Sequence, residues 1–200
     1  ALDVPVQELV DGTLSDAQMT LVPYFAWNNR GNASMNVWFP KTTEQAEQAM
    51  AESSFDNSKF GRVSVSACAE GDSADALTNG NRAQSSGDTT ISRWSSAGMP
   101  DVPQTVTFEF DHAQTVESLG VYWADDGEDV AVPESWSMDY LKDGEWHPFK
   151  LYVTDFFGTD KNMFVVVHPD AELVCDGLRL NITPAQSKAV GLLDLDLMVK

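Results

Sequence analysis

Gly191-Leu192-Leu193-Asp194-Leu195-Asp196-Leu197-Met198-Val199 is the stretch whose reading decides the fold. Leu193, Leu195 and Leu197 alternate with Asp194, Asp196 and Met198, a period of two that gives one face to a core and the other to solvent. The same alternation recurs in Thr105-Val106-Thr107-Phe108-Glu109-Phe110, where Val106, Phe108 and Phe110 share a side. Further short β-rich runs fall at 62–68, 118–123, 135–140, 163–168 and 178–182. Asn79-Gly80, Asp126-Gly127, Asp143-Gly144 and Asp176-Gly177 punctuate them as turn signals. Such spacing suits antiparallel strands rather than βαβ units, so 61–200 is expected to be an all-β, jelly-roll-like β-sandwich.

Upstream the pattern changes. Runs 18–27 and 34–39, separated by Asn28-Asn29-Arg30-Gly31-Asn32, predict a β-hairpin in 1–40. Two strands bury too little to be stable alone, so the hairpin should lean on other structure. Thr42-Thr43-Glu44-Gln45-Ala46-Glu47-Gln48-Ala49-Met50 reads as a short capped helix, and 41–60 as a helical linker. The missing initiator Met suggests an excised piece.

Composition narrows the partners. Twelve Lys and Arg against 31 Asp and Glu give a net charge of −19, which repels phosphate backbones and anionic lipid. Nucleic acid and membrane insertion are therefore not expected, and no apolar run reaches the ~18 residues of a membrane span. Neutral ligands and divalent cations suit this charge, as does plain solubility. Two cysteines, Cys68 and Cys175, are too few for a disulfide framework or a structural zinc site, though one bridge is open to them.

No catalytic motif stands out. The many carboxylates include no marked pair, and His112, His147 and His168 lack a nucleophile at a recognised spacing. Glu70-Gly71-Asp72-Ser73-Ala74-Asp75, running into Asn79-Gly80-Asn81 and followed by Ser92-Arg93-Trp94, offers oxygen ligands that suit a hard cation such as calcium. The alternative is a solvated acidic loop. Trp94, Trp123, Trp136, Trp146 and Tyr122 are either core residues or platforms on which a sugar ring stacks. Trp123 runs straight into the carboxylate-rich loop Asp125-Asp126-Gly127-Glu128-Asp129.

Two stretches carry a family likeness. Leu21-Val22-Pro23-Tyr24-Phe25-Ala26-Trp27-Asn28-Asn29-Arg30-Gly31 with Met35-Asn36-Val37-Trp38 resembles the closing hairpin of bacterial β-L-arabinofuranosidases of glycoside hydrolase family 127. Val63-Ser64-Val65-Ser66-Ala67-Cys68, Ala74-Asp75-Ala76-Leu77-Thr78-Asn79-Gly80, Val121-Tyr122-Trp123-Ala124-Asp125-Asp126 and Val132-Pro133-Glu134-Ser135-Trp136 resemble a discoidin-like, galactose-binding-like module found at the end of some of these enzymes. The resemblance implies a chain that starts after an (α/α)6 catalytic barrel, and neither cysteine matches the zinc-bound nucleophile of that barrel. It also implies a structural calcium near the Asn-Gly turn, with Asn79, Ser92 and Asp194 as counterparts. Asn79 stands where Asp is usual and Ser92 where Thr is usual.

Three readings follow. The first is a non-catalytic carbohydrate-binding module of a secreted or cell-surface bacterial glycoside hydrolase, taking arabinose- or galactose-containing glycans through Arg93, Trp94, Trp123, Asp125 and Asp126. The second is an accessory domain that packs on the catalytic domain and stabilises it, its tryptophans being interior. The third is an independent hydrolase, which requires a cleft with two carboxylates and a perturbed pKa.

Overall fold

The computed structural model describes residues 57–200, which lie in a compact unit spanning Phe55–Lys200. The hairpin expected in 1–40, and nearly all of the linker expected in 41–60, lie outside the described residues.

Short 3-10 turns occupy Asn57–Phe60 and Ala74–Leu77, and the strands, joined by loops, pair antiparallel. The strands are β1 (Gly61–Val65), β2 (Trp94–Ser95), β3 (Gln104–Trp123), β4 (Ser135–Lys142), β5 (Glu145–Pro148), β6 (Phe164–Val167), β7 (Leu173–Thr183) and β8 (Gly191–Val199). Pairing runs β2-β8-β3-β7-β4-β5, with β1 and β6 also on β3.

The runs 105–110 and 118–123 form one strand. β3 is 20 residues long and continues through Asp111-His112-Ala113 because its register against β7 shifts between Glu109 and Gln114, an irregularity that bends a strand without ending it. Before the shift β3 pairs with β1 and β7; beyond it, it keeps β7 as far as Val116 and takes up β8 and β6. The strand thereby serves both layers of the sandwich. Val106, Phe108, Leu178 and Leu180 from one half share a single core with Leu119, Val121, Leu195 and Leu197 from the other.

Asp176-Gly177, expected as a turn, lies inside β7 opposite the β3 irregularity. Glycine is needed there for closeness: a Cβ at Gly177 would sit 2.7 Å from the Phe108 carbonyl oxygen. Asp143-Gly144 is a true two-residue hairpin turn between β4 and β5, both residues having positive φ.

Candidate functional site

The end of the sandwich where β3 stops at Trp123 gathers the loops that hold most of the candidate residues. Trp94 and Trp123 are 0% exposed, which corrects their assignment as sugar platforms: both indole faces are already covered by the core. Trp94 donates its Nε1–H to the Ala67 carbonyl at 2.8 Å. Trp123 and the buried Trp136 both donate to the Gly158 carbonyl, at 3.3 and 2.8 Å. Their rings meet edge to face at 5.5 Å, and Trp136 meets Phe157 in the same way at 4.7 Å. Two buried indoles thus fasten the loop around Gly158.

Arg93, Asp125 and Asp126 do come together at the surface above this core. The Arg93 guanidinium reaches Asp126 at 3.2 Å and Asp72 at 3.4 Å. Partial burial would raise the Asp126 pKa, but the backbone N–H groups of Glu128 and Val130 and the Arg93 charge hold it below the ordinary carboxylate value. Asp125 receives the Lys161 ammonium at 2.5 Å, and its Oδ1 accepts from the Gly127 N–H at 3.1 Å. Ser86 ties the loops together. Its carbonyl accepts from the Asp125 N–H at 2.8 Å, while its N–H and Oγ exchange two 2.9 Å bonds with Asn162.

The segment 152–162 was not marked by sequence, and it carries an exposed aromatic ring. Phe156 is 68% exposed, next to the buried anchor at Gly158. A Cβ on Gly158 would come within 2.9 Å of the Phe156 ring and 3.0 Å of the Asp160 carboxylate, so ring and carboxylate border the same bare Cα. Asp155 secures the loop by accepting from the His168 backbone N–H at 2.7 Å and facing its Nδ1 at 2.8 Å. Lys161, which binds Asp125, is five residues beyond Phe156 in sequence. The only sequence signal was Phe156-Phe157-Gly158, which does not say which ring faces out.

Asn79, Ser92 and Asp194 lie at the side of this end. The Asn79 amide donates to Ser92 Oγ at 3.1 Å, and its Oδ1 accepts from the Asn81 N–H at 2.9 Å. Asn57 links this loop to β8: its N–H donates to the Thr78 carbonyl at 3.1 Å and its Nδ2 to the Leu195 carbonyl at 2.6 Å. Each contact is one residue away from a candidate ligand. Asp194 is 1% exposed; one oxygen faces Arg82 at 3.5 Å and the other, Oδ1, is buried without a partner. Burial pushes its pKa up to about 7 against the pull of Arg82, with Asp196 adding to the rise. Among the described residues no three His, Cys, Asp or Glu side chains gather as a metal cluster, so an ion here would draw on amide, hydroxyl and carbonyl oxygens as well. Cys68 is exposed and Cys175 buried, both as free thiols.

Residues 3–40 match the family model for the glycoside hydrolase family 127 C-terminal domain, and residues 62–193 match that for the F5/8 type C domain. No curated protein sequence matches the chain. Among solved structures, the family 32 carbohydrate-binding module of Clostridium perfringens NanJ, in complex with galactose, is 14% identical, with 72% of this chain and 96% of that one covered at a TM-score of 0.56. A chain of the Streptococcus pneumoniae beta-galactosidase BgaA is 14% identical, with 70% and 92% covered and a TM-score of 0.56. CpGH89CBM32-5 of Clostridium perfringens, in complex with GalNAc-β-1,3-galactose, is 8% identical, with 73% and 99% covered at 0.56. At such identities the likeness shows the β-sandwich fold itself. The family match spans well over half of the sequence, and the chain therefore belongs to the F5/8 type C domain family.

Proposed function

We propose that this module is a non-catalytic carbohydrate-binding module of an exported glycoside hydrolase, and that it takes a neutral arabinose- or galactose-containing glycan at the Trp123 end. The observation that carries the site is Phe156: an exposed ring on a loop fastened by two indole N–H groups, with Asp160 beside it and Lys161 reaching Asp125. A sugar ring presents an apolar face to such a platform while its hydroxyls need fixed donors and acceptors around the edge. Arg93, Asp125, Asp126 and Lys161 supply them, each already oriented by a partner. The relatives solved with galactose and with GalNAc-β-1,3-galactose support the ligand class, and the match of residues 3–40 supports the glycosidase parent.

Burial of Trp94, Trp123 and Trp136 favours the accessory reading for those three residues, whose task is to hold the loops. The hydrolase reading gains nothing: Asp194, the described carboxylate with a raised pKa, is sealed from any substrate.

We further propose that a calcium ion binds at Asp194 with Asn79 and Ser92 as neutral oxygen ligands, a reading supported by the buried, unpartnered Asp194 Oδ1. Bound there it would neutralise a buried carboxylate and tie the Asn79 loop to β8. A glycan array probed with the chain, in calcium and then in chelator, tests both parts. Retention on arabinose- or galactose-bearing glycans is the expected result, and silence across all neutral glycans would remove the binding role.

A further inference from the structure

The loop site leaves unused a groove of about 260 Å³ on the outward face of the layer formed by β3, β7 and β4. Three neighbouring strands line it. Thr105, Asn181 and Ser137 stand in register as one row across β3, β7 and β4, and Thr183 and Ser135 form a second row beside it. Adjacent strands lie ~4.8 Å apart, so hydroxyl and amide groups repeat across the face at close intervals.

This lining is selective in its chemistry. These five side chains carry no charge in a protein of net charge −19, and each is a hydroxyl or an amide that both donates and accepts. One row further along β7, Arg179 binds Asp139 through Nη2 at 2.8 Å and lies 4.3 Å over the Trp146 ring. The same Asp139 oxygen accepts from Asn181 Nδ2 at 2.9 Å, which fixes the amide with Oδ1 turned away from the carboxylate. A polar ladder whose central amide is fixed by Asp139, with neutral groups facing the groove, suits a ligand rich in hydroxyls. It gives a charged polymer nothing to pair with, and the volume lies just under the ~300 Å³ at which small-molecule sites begin.

We infer that this groove is a second glycan-contact site, taking a neutral stretch of the polysaccharide away from the residue seated at Phe156. The inference rests on the carbohydrate-binding reading above. Its test is a titration of the 15N-labelled full chain with a neutral arabinogalactan oligosaccharide, followed at the Asn181 side-chain amide and the backbone amides of Ser137 and Thr183. These resonances are expected to move in the native chain and equally in Phe156→Ala. A Ser137→Ala, Asn181→Ala double variant, with its fold checked by circular dichroism, should weaken oligosaccharide binding about five- to tenfold and leave monosaccharide binding unchanged. Movement at 156–161 with the groove resonances still would overturn the second site and leave the loop reading standing. Stillness at both places would overturn the two together.

Discussion

Phe156 and Trp123 are both large aromatics, and their opposite exposures give opposite predictions. Phe156→Ala removes an outward ring and should abolish monosaccharide binding while stability stays within ~0.5 kcal/mol, since no core contact is lost. Trp123→Ala empties a fully buried site and frees the Gly158 loop, so chemical denaturation should show a loss of about 3–5 kcal/mol. The cysteines separate likewise. Burial pushes the Cys175 thiol up to about 11, whereas Cys68 is exposed and only modestly raised. Alkylation of the native chain at pH 8 should label Cys68 alone, with Cys175 following only in denaturant. Asp126 sets a pH dependence: its folded pKa is depressed, so its stabilisation is complete above the ordinary ~3.9 of an unfolded aspartate and is lost as pH falls through the lower folded value. Acid unfolding of Asp126→Asn, compared with the native chain, should lack that share of the loss. At this scale the sequence was half legible. Arg93 and Asp126, which pair at 3.2 Å, lie in polar segments the sequence marks as loops, whereas an indole carries no mark of burial and the Phe156-Phe157 pair no mark of direction.

Strands were legible where one face is wet and the other dry. β8 was read end to end from its leucines and the first half of β3 from Val106, Phe108 and Phe110, yet the continuity of β3 was hidden because polar Asp111-His112 breaks the alternation where the strand bridges a register shift. β5 went unseen: four residues with Trp146 and His147 side by side show no alternation. Asp176-Gly177 misled because a glycine required for close strand approach looks the same as one required for a turn. Gly61 is the sharper case, since a Cβ there would lie 2.0 Å from the Glu109 carbonyl oxygen. Gly61→Ala must push β1 off β3 and should cost about 2 kcal/mol or more, read as a lowered urea midpoint.

Across the described residues, one bent strand couples two layers around the main core, and the loop end carries the candidate binding groups on that rigid scaffold. Calcium should raise the melting temperature and chelator lower it, with Asp194→Asn abolishing the difference; equal melting in both would remove the ion from the account. The central claim is that the Phe156 loop receives a sugar. Calorimetric titration of the native chain and of Phe156→Ala with galactose and with arabinose as free monosaccharides tests it most directly. Saturable heat in the native chain, gone in a Phe156→Ala protein that melts at the same temperature, is the predicted result; binding undiminished in that variant would contradict it.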